Sequence, residues 1–167
     1  PQTGSLSYLG PPDAAGALLA VKEVNEAAKG ITIDLTRGDS GDADNKAFET
    51  TVPKLQSEGV SAMIGAAASG VTKLFLDSNV SAGIITFSPA NTSPDFTTWD
   101  DNGLYWRTAP SDLLQGEVLG NLLAEDGHTF ASARSAVNFD HEAQEVLDAY
   151  IGRGLGDRVM SEYGVRY

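Results

Sequence analysis

Two short segments hold the residues in this chain best suited to gripping a small ligand. The first, "GAAASGVT" (residues 65–72), joins a β-like run to a helical one. Its small residues let backbone approach a ligand closely. Ser69 opens the helix, where unpaired N–H groups and the positive dipole end favour an anion. A carboxylate held by the Ser69 hydroxyl and nearby N–H groups fits that setting, as does a plain helix-capping role for Ser69. The second segment, "SPANTSP" (residues 88–94), follows the apolar run Ile84–Phe87. Pro89 and Pro94 stiffen it, and the Thr92 hydroxyl and carbonyls such as that of Ala90 are acceptors suited to an ammonium. Together the segments suggest a cradle for a small zwitterion; singly, each is also an ordinary connection.

Other chemistry is poorly supported. His128 and His141 are the only histidines, and both read as surface residues. Ser69 lies in "AASGV", which lacks the nucleophile elbow of a hydrolase. Asp39, Asp42 and Asp44 are spaced loosely like a calcium loop, but no glutamate stands at the bidentate position, so helix capping is the expectation. "GRGLG" (residues 152–156) fails the dinucleotide-binding spacing. No cofactor and no metal are expected.

The elements that must position the two segments alternate along the chain. Pro11, Pro12 and Asp13 start a helix carrying Ala14, Ala17, Leu18, Val21 and Val24, with Gly30 as its stop. Ile31–Leu35 reads as a strand. Asp42 or Asp44 is expected to cap a helix with Phe48, Val52 and Leu55 on its apolar stripe, kinked or restarted by Pro53. A strand over Val60–Gly65 and a helix to about Asn79 follow, then strands Gly83–Phe87 and Leu104–Thr108. Ser111 caps a helix bearing Leu114, Val118, Leu119, Leu122 and Leu123, which Gly127 ends. This order predicts an α/β fold: a doubly wound parallel sheet with helices on both faces, whose ligands bind beyond the carboxyl ends of the strands. Beyond Gly127 the pattern blurs, with helical character over Glu142–Ala149 and Leu155–Glu162.

The bulk numbers agree with one ordinary domain. The chain has 167 residues, 41% of them hydrophobic, which is enough for a core. Its 11 basic and 23 acidic residues give a formal net charge of −12, a poor partner for nucleic acid or anionic lipid. Cysteine is absent, excluding disulfides and thiolate sites. No apolar run approaches the ~20 residues of a membrane span.

The segments "PQTGSLSYLGPP", "GDSGD", "IGAAASGVT", "FSPANTSPDFTTWDDNGLYWRTAPSDLLQG" and "DAYIGRGLGD" together resemble type I periplasmic solute-binding proteins. The likeness is to branched-chain amino-acid (Leu/Ile/Val) receptors of ABC transporters, lipoprotein forms included. The resemblance implies an amino acid or related amide bound between two closing lobes, and no enzymatic activity. It implies that Ser69 binds the ligand carboxylate and that the Ser88–Pro94 loop binds the ligand backbone through Ala90 or Asn91 and through Thr92. It also implies that Tyr150 closes over the ligand and that Tyr8 and Leu9 line the side-chain pocket. ABC permease subunits are the implied partners, in an extracytoplasmic location, periplasmic or cell-surface, with a lipid anchor as the sole membrane attachment. A ligand-sensing or surface-assembly protein without transport is the alternative use of the fold. The family's first strand and most of its second lobe have no counterpart here. The expected organisation is therefore an incomplete N-terminal ligand-binding lobe over 1–125 and a crossover into the start of a second lobe over 126–167.

Overall fold

A computed structural model of the protein describes residues 1–27 and 29–125. The helices are α1 (Gly10–Glu26), α2 (Phe48–Ser57), α3 (Ser69–Ser81) and α4 (Asp112–Glu125). The strands are β1 (Ala62–Ile64), β2 (Ile85–Ser88) and β3 (Tyr105–Arg107). They form one parallel sheet in the order β1-β2-β3, so the expected α/β fold is what the chain adopts. By contacts the chain forms two compact units, Pro1–Asn91 with Thr98–Ala109, and Thr92–Thr97 with the chain from Pro110 onward.

Register explains which residues are buried in the first unit. Met63 pairs with Thr86 and Thr86 with Tyr105, so these three share a face, and all are buried. Met63 joins Phe48 and Val52 of α2, Val71 and Phe75 of α3, and Ile84 in the core cluster. Ile64, Ile85 and Trp106 lie on the opposite face and are exposed. A polar cross-tie runs through the buried layer. Asn79 of α3 donates through Nδ2 to the Thr86 hydroxyl (2.9 Å) and to the Met63 sulfur (3.3 Å). Its Oδ1 accepts from Gln56 Nε2 of α2 at 2.9 Å. Asn79 and Thr86 are fully buried, so each amide and hydroxyl atom needs its partner.

Several expectations need correcting. Ile31–Leu35 is not a strand: no described strand runs beside it, so its backbone has no ladder to join. The Asn25 side chain pairs with the Ile33 backbone instead, accepting its N–H at 2.7 Å and donating to its carbonyl at 3.0 Å. Neither Asp42 nor Asp44 caps α2, whose N-cap is Ala47 and makes no side-chain cap bond. Pro53 neither ends nor restarts α2; the helix runs through it to Ser57. Ser69 does not cap α3, because the N-cap is Ala68 and Ser69 is the first helical residue. The Ser111 cap is present: its hydroxyl accepts the Leu113 N–H at 3.4 Å and its carbonyl the Leu114 N–H at 3.0 Å. The stripes predicted for α1 and α4 stay largely in solvent, with Leu18, Val24, Leu114, Val118 and Leu122 all exposed.

Candidate functional site

Ser69, Ala90 and Asn91 lie in or next to the loops that follow β1 and β2. The last β1–β2 ladder bond runs from the Gly65 N–H to the Phe87 carbonyl at 2.8 Å. Gly65 adopts φ +124°, a left-handed region open to glycine, and the chain turns there toward α3. Beyond this point backbone pairing stops and side chains take over. The Ser88 hydroxyl donates to the Ala66 carbonyl at 2.7 Å and accepts the N–H groups of Asn91 (3.1 Å) and Ala90 (3.3 Å). Asn91 Nδ2 donates to the carbonyls of Ala66 (3.0 Å) and Ala67 (2.9 Å). Its Oδ1 accepts the Tyr105 hydroxyl at 3.0 Å. Arg107 Nη1 donates to the Asn91 carbonyl at 3.4 Å, a weaker contact.

Asn91 therefore lies inside the molecule with its side chain committed to its own loops; it is fully buried. Burial pushes the Tyr105 hydroxyl up to about 12, against the Arg107 charge and with help from Asp101, so it stays a donor at neutral pH. Ala90 is half-buried, and its carbonyl accepts no hydrogen bond from a described residue. Ser69 is half-buried at the start of α3, where the N–H groups of Gly70 and Val71 have no acceptor among the described residues. The loop holding Ser69 and the loop holding Ala90 are thus tied together by Ser88 and Asn91. Thr92 belongs to the second unit, is half-buried, and its carbonyl accepts the Asp112 N–H at 2.9 Å.

The N-terminal loop is shaped by the acidic segment that resembled a calcium loop. Asp39 Oδ1 accepts the N–H of Gln2 (2.6 Å) and of Gly41 (2.9 Å), and its Oδ2 accepts the Thr3 hydroxyl (2.6 Å). Asp42 Oδ2 accepts the Ser5 N–H (2.6 Å), while Oδ1 takes the N–H groups of Asp44 (3.0 Å) and Asn45 (2.9 Å). Asn45 Nδ2 donates to the Thr3 hydroxyl at 2.9 Å. A Cβ at Gly4 would strike the Asp42 carboxylate, so glycine permits the close approach. The Asn45 and Ser5 N–H groups hold the Asp42 carboxyl at about 2. For Asp39, burial acts upward but is outweighed by the Thr3 hydroxyl and the N–H groups of Gln2, Gly41 and Thr3, leaving it below the ordinary value. These carboxylates are clamps for Gln2–Ser5, and no described group of side chains has the composition of a metal site. The clamped loop leads into a 3-10 turn, Ser7–Leu9, where Tyr8 is exposed and Leu9 half-buried. Tyr150, His128, His141 and the glycines of 152–156 lie outside the described residues.

Four structural roles were absent from the sequence-based candidates: those of Ser88 and Tyr105, and of Asp39 and Asp42 as loop clamps. A serine ending a strand three residues before an asparagine is a side-chain-to-backbone turn signal, so Ser88 was within reach. Tyr105 carried no such signal, since its partner depends on how β3 lies beside β2.

The fold and the strand-end loops define an α/β lobe of the kind that binds small solutes at the carboxyl ends of parallel strands. The periplasmic binding protein family model matches residues 1–163, and the chain belongs to that family. It is 32% identical over 173 residues to Leu/Ile/Val-binding protein homolog 1 of Brucella abortus, covering 99% of this chain and 43% of the relative. It is 30% identical over 127 residues to the leucine-, isoleucine-, valine-, threonine-, and alanine-binding protein of Pseudomonas aeruginosa, covering 75% of this chain and 34% of the relative. Among solved structures, the substrate binding protein LivJ of Streptococcus pneumoniae, in complex with isoleucine, aligns with TM-score 0.70 at 24% identity, which bears on fold. That alignment covers 90% of this chain and 43% of LivJ. An ABC transporter substrate-binding protein of Desulfitobacterium hafniense in complex with Leu aligns with TM-score 0.59 at 27% identity, over 89% of this chain and 43% of that one. The chain spans less than half the length of each of these proteins. No helix among the described residues is long and apolar enough to cross a membrane.

Proposed function

We propose that the chain supplies the amino-acid-binding lobe of an extracytoplasmic substrate-binding protein that serves an ABC transporter, not an enzyme. The carrying observation is the 32% identity with a Leu/Ile/Val-binding protein homologue over 99% of the chain. The geometry supports it: N–H groups without acceptors at the start of α3 and the Ser69 hydroxyl suit the ligand carboxylate. The Ala90 carbonyl suits the ammonium, and Ala90 takes the backbone role left open between Ala90 and Asn91, since the Asn91 side chain is engaged inward; the resemblance gives the Thr92 hydroxyl to the ammonium as well. Tyr8 and Leu9 line the side-chain pocket, and Tyr150 closes over it from the second lobe. Residues 1–125 form the ligand-binding lobe and 126–167 lead into its partner lobe. The mechanism is closure of two lobes on a zwitterion, followed by presentation to permease subunits, in a periplasmic or cell-surface location.

Calorimetric titration of the full-length protein with the twenty amino acids, urea and short amides tests this reading. A saturable response to a small aliphatic amino acid is expected, and ligand at ~100 Kd should raise unfolding stability by about 2.7 kcal/mol. Silence across the whole panel rejects it.

A further inference from the structure

We propose that Asn91 is a positioning residue for the amino-acid site: its side-chain amide, anchored on the Ala66 and Ala67 carbonyls and braced by the Tyr105 hydroxyl, sets the spacing between the loop that carries Ser69 and the loop that carries Ala90. The inference rests on the ligand roles given to Ser69 and Ala90 above.

The sheet cannot set that spacing by itself. Its last backbone tie between β1 and β2 is the Gly65–Phe87 bond, and Ser69 and Ala90 lie several residues beyond it. Past that bond the two loops are joined by the Ser88 hydroxyl on Ala66 and by the Asn91 amide on both Ala66 and Ala67. Asparagine carries two N–H donors and one carbonyl acceptor on a short stem, matching two carbonyls and one hydroxyl. The Ala66 and Ala67 carbonyls only accept, so they select the amide orientation that turns Nδ2 toward them, and the Tyr105 hydroxyl from β3 completes it by donating to Oδ1. The flipped amide would set oxygen against the Ala66 and Ala67 carbonyls and lose both of those bonds. Because Asn91, Ser88, Ala66 and Ala67 are all buried, solvent competes little for these bonds. A ligand that touches Ser69 and Ala90 at once needs both loops held near one distance, and freeing them would lower affinity without removing any ligand contact.

The test uses the full-length protein with Asn91→Ala, Asn91→Asp and Tyr105→Phe. L-Leucine and L-isoleucine are titrated by calorimetry. Native-state hydrogen exchange is followed at residues 65–70 and 88–92, with α2 and the last two turns of α3 as internal controls. Asn91→Ala is expected to weaken binding about tenfold and to speed exchange in the two loops more than in the control helices. Asn91→Asp should weaken binding further, because its oxygens face two carbonyls. Tyr105→Phe should weaken binding about threefold with the same exchange pattern, and it carries the test if the Asn91 variants fail to fold. Wild-type affinity in Asn91→Ala and Tyr105→Phe, or acceleration spread evenly over loops and helices, overturns the proposal, since a purely structural residue would lower stability everywhere. If the unsubstituted protein binds neither amino acid, the ligand reading fails separately, and the exchange contrast alone decides whether Asn91 fixes the loops.

Discussion

Replacing Asn79 by alanine should cost about 3 kcal/mol of folding stability. The figure follows from three consequences. The fully buried Thr86 hydroxyl loses the Asn79 partner, and an unsatisfied buried hydroxyl costs about 1–3 kcal/mol. Gln56 loses its bond to Oδ1, worth about 0.5–1 kcal/mol, because it is nearer the surface and keeps the Ser78 hydroxyl at 2.8 Å. The void left by the shortened side chain adds about 1 kcal/mol. Thr86→Val alone leaves Nδ2 with only the Met63 sulfur, a weak acceptor, and should cost about 1.5 kcal/mol. In the double variant neither orphan remains, so its cost should fall short of the sum by about 1–2 kcal/mol. Urea unfolding with a shared m-value measures all three. Costs that add to within about 0.5 kcal/mol would show that Asn79 and Thr86 do not depend on each other, and the cross-tie would be refuted.

Further outcomes follow from other parts of the molecule. Asp42 and Asp39 both have carboxyls below their ordinary value, so their hold on Gln2–Ser5 is complete above the unfolded value near 3.8 and fades as pH falls through the folded one. The Ser5 amide resonance, followed from pH 5 to pH 2, should move with a midpoint near 2; a midpoint near 3.8 would mean that Asp42 is not clamped. Gly4→Ala should release the same loop at neutral pH, seen as faster amide exchange over Gln2–Ser5, because its Cβ meets the Asp42 carboxylate. Pro53→Ala should stabilise the protein by up to about 3 kcal/mol in urea unfolding, since an exposed interior proline forfeits a helix bond; a loss of stability would point to a packing role for the ring. Ser69→Ala should weaken amino-acid binding about tenfold by calorimetry, and an unchanged Kd would remove Ser69 from the carboxylate site.

Much of the scaffold was legible because its signals are local. The proline and aspartate start of α1, the stripe of α2 and the Ser111 cap each depend on residues within a turn or two. The apolar run at β1 and the β-branched run at β2 likewise announced strands, and their alternation with helices implied a parallel sheet. The polar Ser88–Pro94 loop stood out for what it lacks, a core-forming side chain. Ile31–Leu35 misled for a related reason. Its alternation is strand-like, but a strand is a property of a pair, and no described neighbour offers it a ladder.

Only the tertiary structure decided what the polar residues do. Asn91 meets Ala66 at a separation of 25 residues and Tyr105 at a separation of 14, and Asp42 meets Ser5 at a separation of 37. No short-range pattern encodes those meetings, because they exist only after the fold brings distant chain segments side by side. Composition and spacing determined that hydroxyls and an amide would gather in the loop that follows the Ile84–Phe87 run. Burial then determined which of them had to bond to the protein itself, since a polar group removed from water must find its partner inside the fold.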